Sequence, residues 1–174
     1  MKPQDILIVL KLLVAGWPGS YAALGQQLGM SASMAHAAVS RARQAGLLHP
    51  VEFVPHKLAL AEFLVHGLKY VFPGQLGGLT RGLPTSHAAA PLNKLLGAAG
   101  QAELSVWPDP AGTRRSVALK PLYRSAPQAA RADAKLYQWL ALVDAVRTGR
   151  ARERELACKI IGEKLGYVAL RQSR

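Results

Sequence analysis

Side chains that could act as nucleophiles, acids, bases or metal ligands are scattered through this sequence of 174 residues. Ser86 and His87 are adjacent, but neighbouring side chains rarely face each other, and no acid lies near in sequence to orient the imidazole. Glu62 and His66 have the i, i+4 spacing of two ligands on one helix face, but a metal site needs further ligands. The single cysteine, Cys158, excludes a disulfide framework and a cysteine-rich zinc site. We therefore expect no catalytic residue, no metal and no cofactor, and a protein that is not an enzyme.

A segment rich in glycine and proline, residues 70–92, has the composition of a phosphate-binding loop but not its sequence. Such a loop ends in Gly-Lys-Ser/Thr, which places a lysine on the phosphates and a hydroxyl on magnesium. This ending is absent around Thr80-Arg81-Gly82. Because the segment has no periodicity, we expect a structured loop over 80–87, able to dock a partner.

The charge of the chain favours an anionic partner. Lys and Arg number 22 against 10 Asp and Glu, which gives a net charge of +12, and half of the residues are hydrophobic. A folded core under a basic surface favours nucleic acid first and an anionic membrane second. No apolar run approaches the roughly 18 residues of a membrane span, and Lys11 interrupts the apolar run near the N-terminus. We expect a cytoplasmic protein that does not enter a membrane.

The elements that would position an interface are clearest near the N-terminus. Apolar residues over 4–15 form a broad helical stripe. Ser20 predicts the N-cap of a short helix over 21–28, and Ser31 predicts the N-cap of a third helix that runs to about Ala45. These spacings predict three helices in close succession.

The second and third helices have the pattern of a helix-turn-helix. Such a unit needs a tight turn, here at Gly29, and small residues where the helices cross, here Gly25, Ala35 and Ala38. The second helix of the unit enters the DNA major groove, with its N-terminal residues reaching the base edges. The same spacing also occurs in helical bundles that bind protein or RNA, so DNA binding draws its support from the agreement of motif and charge.

The predicted third helix carries no Asp or Glu, as a helix that enters the groove of a polyanion requires. Ser31 and Ser33 could reach phosphates or bases, although Ser31 could equally be an N-cap alone. Arg41 could take a guanine edge with two hydrogen bonds, or a flanking phosphate. We expect these residues on the exposed side, with Arg43 near its edge. The candidate DNA-binding residues of this helix are Ser31, Ser33, Met34, His36, Ala37, Ser40, Arg41, Arg43 and Gln44.

Residues 4–48 resemble the helix-turn-helix of MarR-like and related winged-helix bacterial transcriptional regulators. The resemblance is carried by the turn Leu28-Gly29-Met30-Ser31-Ala32-Ser33 and by the closing Ala45-Gly46-Leu47-Leu48. It implies a recognition helix in the major groove. In that family a two-stranded hairpin, the wing, follows the recognition helix, but 47–55 has no glycine-containing turn. The wing is short, missing or replaced, and its contacts are not carried over.

The remainder of the chain predicts further helices and one hairpin. Strands over 104–107 and 116–119 would flank a turn at 108–112. Arg114 and Arg115 follow this turn and could grip phosphate as a wing does, or could be solvated turn residues. The other predicted elements are a strand over 51–54, helices over 58–68, 92–96, 133–146 and 152–165, and a connector over 121–128.

Taken together, the sequence predicts a mainly α protein with a small β component (α+β). Residues 1–55 would form a helix-turn-helix DNA-binding domain, and 56–174 a helical and hairpin region for dimerisation or partner binding. We expect a sequence-specific transcriptional regulator that binds double-stranded DNA as a homodimer on a palindromic operator, with the helices 57–69 and 133–147 supplying association faces. Two alternatives stay open: an antitoxin-like or adaptor protein with a toxin-like partner, and, disfavoured, an enzyme acting on nucleic acid.

Overall fold

A computed structural model describes residues 1–97 and 104–167 of the chain. It is mainly α-helical with a small three-stranded sheet, as predicted. The predicted region 56–174 includes 98–103 and 168–174, which lie outside the described residues. Within the described residues no helix is long and apolar enough to cross a membrane.

The first three helices begin and end within one residue of their predicted positions. They are α1 (Pro3–Ala15), α2 (Tyr21–Leu28) and α3 (Ala32–Gln44). Five consecutive apolar residues of α1, 6–10, are fully buried. Because their side chains point in all directions around the helix, α1 lies inside the fold, with α3 and a C-terminal helix packed against it.

The turn between α2 and α3 is tight, as the small residues predicted. Gly29 adopts the left-handed conformation, φ +64°, that favours glycine. A Cβ on Gly25 would lie 2.5 Å from the carbonyl oxygen of Met30, so a larger residue there would force the turn away from α2. Ala35 and Ala38 are fully buried at the crossing of the helices. The helix-turn-helix unit is therefore set by glycine and alanine at three contact points.

A wing in the usual sense does not follow α3, and the predicted strand over 51–54 is wrong. Residues 47–56 form a loop closed by a single bridge between Leu48 and Pro55. Arg43 donates to the carbonyl oxygen of Val51 at 2.6 Å, and Phe53 stacks on Trp17 with ring centroids 3.6 Å apart. In place of the hydrogen bonds of a strand pair, the loop thus has a side-chain hydrogen bond to the carbonyl of Val51 and an aromatic contact of Phe53.

The C-terminal helices follow the predictions except at one connector. The predicted connector over 121–128 is wrong, because α7 begins at Ala126, with Pro127 in the first turn, where a proline is tolerated. The helix predicted over 58–68 is longer and is interrupted by a π-helical turn. In order, the elements are α4 (Lys57–Glu62), the π turn (Phe63–Gly67), α5 (Leu68–Val71), α6 (Leu92–Leu96), α7 (Ala126–Ala132), α8 (Ala134–Thr148) and α9 (Ala151–Leu165).

Helix α8 is central to the fold, which corrects the expectation that it offers an association face. Every residue from Trp139 to Val146 is buried. Helices α1, α5, α7 and α9 all pack against α8. Its apolar face is therefore used within the chain. One hydrophobic core extends from α1 to α9 and crosses the predicted boundary at residue 55.

The sheet differs from the predicted hairpin. It consists of β1 (Leu76–Thr85), β2 (Ser105–Pro108) and β3 (Arg114–Leu119). Strand β1 pairs antiparallel with both others, and β2 and β3 are parallel to each other. Two strands joined by a short turn would normally be antiparallel, but here each takes β1 as its antiparallel partner. The predicted loop over 80–87 is therefore largely strand.

Two glycines allow this arrangement. Gly82 pairs with Pro108 in β2 and with Arg114 in β3. A Cβ on Gly82 would lie 2.0 Å from the carbonyl oxygen of Trp107, and a Cβ on Gly112 would lie 2.4 Å from the Cα of Gly82. The chain after β2 thus crosses directly over β1, which only glycine permits at both positions.

A buried polar network ties the sheet to α8. The Asp144 carboxylate accepts hydrogen bonds from Thr85 Oγ1 at 2.8 Å, Trp107 Nε1 at 2.6 Å and Arg147 Nη1 at 2.5 Å. Burial raises the pKa of Asp144, and the charge of Arg147 and these hydrogen bonds oppose that shift. With three donors satisfying one buried carboxylate, the sheet is held in a defined position on the helical core.

Candidate nucleic-acid interface

Helix α3 presents a polar face to solvent. Its exposed candidates are spaced three to four residues apart from Ser33 through His36 and Ser40 to Gln44, so they lie along one side of the helix. Met34 and Ala37 are half-buried beside them. These residues combine hydroxyl, imidazole and amide groups without an acid, a set that can both donate to and accept from base edges.

The N-terminus of α3 is already capped. Ser31 Oγ accepts a hydrogen bond from the backbone N–H of Met34 at 3.2 Å and lies 3.0 Å from Ser33 Oγ. Both serines are exposed. Ser31 therefore has a structural role as N-cap, and Ser33, in the first turn of the helix, is the freer hydroxyl for contact with a ligand.

His36 lies at the edge of an aromatic cluster formed by Trp17, Tyr21 and Phe53. The His36 ring meets the Tyr21 ring edge to face at 4.9 Å, and Tyr21 meets Trp17 in the same way at 5.0 Å. Tyr21, the first residue of α2, thus packs on His36 and also on Trp17 and Phe53, which lie in the loops before α2 and after α3. His36 is exposed on the same face as Ser40.

Arg41 does not lie on the exposed side of α3, which corrects the prediction. Its guanidinium contacts the fully buried carboxylate of Asp5, with Nη2 2.7 Å from Oδ1 and Nε 3.0 Å from Oδ2. Hydrogen bonding to Asp5 raises the pKa of Arg41. Asp5 also accepts from the backbone N–H of Lys2 at 2.7 Å, so the pair joins the start of α1 to α3. Arg41, which was predicted to contact a base, instead forms an ion pair with Asp5 that supports the fold.

Arg43 is half-buried and also contacts neighbouring residues of the chain. In addition to its hydrogen bond to Val51, its guanidinium carbon lies 4.7 Å from the centroid of the Phe53 ring, a cation–π contact. Arg41 and Arg43 are the only cations that α3 contains. The polar face of α3 thus has little positive charge of its own to offer a phosphate.

The other predicted arginines lie on the sheet. Arg114 and Arg115 are exposed at the start of β3, rather than on the arm of a hairpin with β2. Arg115 is directly opposite Arg81 of β1 in the antiparallel register. The sequence alone places Arg81 in a loop, because the glycines around it conceal a strand, and so does not predict its pairing with Arg115.

The sheet is connected to the helix-turn-helix by α7. At its N-terminal end Ser125 Oγ donates to the carbonyl oxygen of Leu28 at 2.5 Å, and Gln128 lies beside Gly29. At its C-terminal end Arg131 pairs with Asp109, in the turn after β2, at 2.6 Å. Sequence reasoning placed a connector here and so did not relate the two surfaces.

Within the described residues no group of three or more His, Cys, Asp or Glu side chains could hold a metal ion. In comparisons with known proteins, no family model, no curated protein and no solved structure matches the chain.

Proposed function

We propose that this protein binds double-stranded DNA with sequence preference and regulates transcription, with α3 as its reading helix. The observation that carries the proposal is the exposed face of α3, which is polar and free of acids. The tight turn between α2 and α3 fixes the position of this helix. The resemblance of residues 4–48 to winged-helix bacterial regulators supports the same proposal, as does the net charge of +12. In this proposal the protein is a cytoplasmic binding protein and not an enzyme.

The reading residues are those whose side chains are exposed and oriented. We assign base contacts to Ser33, His36, Ser40 and Gln44, with Met34 and Ala37 supplying apolar contact between them. The N-terminal N–H groups of α3 favour a phosphate beside Ser31. Arg41 and Arg43 support the reading helix from behind, by anchoring it to α1 and to the loop over 47–56.

We further propose that the protein is a homodimer on a palindromic operator, because one reading helix contacts few base pairs. The association surface is assigned to exposed apolar residues between α4 and β1: Leu58 is 60% exposed, Tyr70 75% and Leu76 61%. A different protein, including a toxin-like one, could occupy the same surface. Light scattering of the purified chain separates the two, since only a homodimer gives twice the chain mass without a partner.

The experiment that tests DNA reading is selection of bound sequences from a random duplex pool, followed by binding of variants to the selected site. We expect a palindromic consensus. His36→Ala should weaken binding to the selected duplex by about 1–3 kcal/mol and change binding to random duplex much less. Lys159→Ala, an exposed position on α9, is the control and should leave the ratio of the two affinities unchanged. A pool that shows no enrichment would overturn the proposal.

A further inference from the structure

We infer that Arg81 and Arg115, with Arg114 beside them, form a second DNA contact that grips backbone phosphates and takes the place of a wing. The inference rests on the proposed function, because it assumes that duplex DNA is the partner. It adds Arg81 to the sequence-predicted Arg114 and Arg115 and gives the sheet a role beside the helix-turn-helix.

The register of β1 and β3 brings two arginines together. Arg81 and Arg115 are paired directly opposite each other on β1 and β3. Side chains in this position lie about 5 Å apart at Cβ and point to the same face, so two like charges there repel and destabilise the sheet. An anion shared between the two guanidinium groups would relieve this repulsion, because each guanidinium forms charge-assisted hydrogen bonds to phosphate oxygens.

No carboxylate within the described structure neutralises these arginines. Arg81, Arg114 and Arg115 are exposed, and none forms an ion pair with a described residue. Among the described residues, the acid nearest to β2 and β3 along the chain is Asp109, and its carboxylate pairs with Arg131. The sequence from 110 to 132 contains five Lys or Arg and no Asp or Glu. This is the composition of a surface for a polyanion.

The backbone that carries Arg81 is fixed by the turn after β2. The backbone N–H of Asp109 donates to the carbonyl oxygen of Arg81 at 3.1 Å, and Asp109 Oδ1 accepts from the N–H of Ala111 at 2.9 Å. Gly112 packs directly on Gly82. The turn after β2 is thereby fixed against β1 next to Arg81, and the guanidinium groups extend from a site that needs little ordering on binding.

Helix α7 connects the sheet to the helix-turn-helix. Helix α7 has seven residues and, at 1.5 Å per residue, is about 10 Å long. Its two ends contact the α2–α3 turn and the turn after β2. Helix α7 therefore links the α2–α3 turn to the turn after β2, which is hydrogen-bonded to Arg81. In this inference the sheet contacts phosphates beside the groove that α3 occupies.

The test compares two double variants that remove the same charge. Arg81→Gln/Arg115→Gln removes the opposed pair, and Arg152→Gln/Lys164→Gln removes two exposed cations of α9. Binding to the selected duplex and to a random duplex is measured by fluorescence anisotropy at several salt concentrations. We expect the first variant to weaken binding to both duplexes by the same factor and to lower the slope of log K against log salt by about 2. The control variant should keep the wild-type slope.

The outcomes separate this inference from the proposed function. If the wild type binds duplex DNA, His36→Ala removes its preference, and the Arg81/Arg115 variant matches the control, only the phosphate grip is overturned. If the wild type binds no duplex, both proposals are overturned. A parallel measurement uses vesicles of phosphatidylserine and phosphatidylcholine. Vesicle binding that depends on Arg81 and Arg115, with duplex binding unaffected by their loss, would overturn the inference in favour of a membrane surface.

Discussion

The arginines of α3 and those of the sheet have the same charge but are held in opposite ways. On α3, Arg41 is paired with a buried carboxylate and Arg43 packs on an aromatic ring. On the sheet, Arg81 and Arg115 face each other across a strand pair without a described ion-pair partner. The first two cations are part of the fold, and the second two are available to a ligand.

Basic residues can stabilise the fold or bind an anionic ligand, and the net charge does not distinguish these two roles. A net charge of +12 predicts an anionic partner, but it does not say which cations meet that partner. Cations that neutralise internal acids contribute to the free energy of unfolding and little to binding. In the function that we propose, the reading helix contributes shape and hydrogen-bonding groups, while the arginines of the sheet supply the charge for phosphates. Stability measurements and salt-dependent binding can therefore assign each arginine to one task.

The largest effect should follow from Arg41→Ala. The substitution leaves the Asp5 carboxylate buried without its cation, which costs about 3 kcal/mol of unfolding free energy. Urea unfolding should show this loss as a lower midpoint. Arg115→Ala is the matched control on the sheet and should change the unfolding free energy by less than about 0.5 kcal/mol. Equal losses for the two variants would abolish the distinction between the two sets of arginines.

The second effect concerns pH at another internal cation, Lys11, whose Nζ lies 2.8 Å from Asp133 Oδ2. Burial raises the pKa of Asp133, but hydrogen bonds from Lys11 and from the N–H groups of Leu136 and Lys135 outweigh it and lower the pKa below its usual value. An acid with a lowered pKa in the folded state stabilises above its unfolded pKa. That stabilisation is lost as the pH falls through the folded pKa.

Asp133→Asn keeps an N-cap for α8 and removes the charge. We expect it to lower the unfolding free energy by about 1.5 kcal/mol at neutral pH, with the difference from wild type vanishing in acid. Glu163→Gln removes one partner of an exposed pair with Lys159 at 4.0 Å and is the control. Denaturant unfolding at several pH values checks both. A constant deficit for Asp133→Asn across the acid range would contradict the assignment.

Local signals in the sequence were enough for the helix-turn-helix. Ser20 and Ser31 are N-caps, Gly29 is left-handed, and the apolar stripe of α1 is buried, because caps, turns and periodicity act within a few residues. The engagement of Arg41 could not be read in the same way. Its partner, Asp5, lies 36 positions earlier, and only packing of α1 on α3 brings the two together.

Strands β2 and β3 were predicted, but strand β1 and the pairing of the sheet were not, for a related reason. Strand β1 contains Gly77, Gly78, Gly82 and Pro84, residues that weaken a strand in isolation. It forms because β2 and β3 pair with it from elsewhere in the chain, and because Gly82 must admit both Trp107 and Gly112. Tertiary contact here overrides propensity. The pairing of Arg81 with Arg115, on which the phosphate proposal rests, exists only once that register is known.

A third, smaller effect sharpens the comparison within α3 itself. Ser31→Ala removes the hydrogen bond to the N–H of Met34 and should cost about 1 kcal/mol of unfolding free energy. Ser40→Ala, on the exposed face of the same helix, is the control and should cost less than about 0.5 kcal/mol. Chemical denaturation distinguishes the two. If Ser40→Ala proves as costly as Ser31→Ala, Ser40 belongs to the fold and not to the proposed reading face.

The smallest effect should be a gain in stability. Arg81→Glu places an acid opposite Arg115, which replaces a repulsive cross-strand pair with an attractive one and should raise the unfolding free energy by roughly 0.5 kcal/mol. Because both side chains are exposed, the gain should shrink in high salt. The same substitution should weaken duplex binding at every sequence, since it removes one phosphate contact and adds a like charge to the one beside it. Arg152→Glu on α9 makes the same charge change without a cross-strand partner and should produce neither effect. Thermal unfolding and anisotropy on one preparation check the pair of outcomes. An Arg81→Glu variant that is less stable than wild type in low salt would mean that the two guanidinium groups do not repel, and the argument for a shared anion would fail with it.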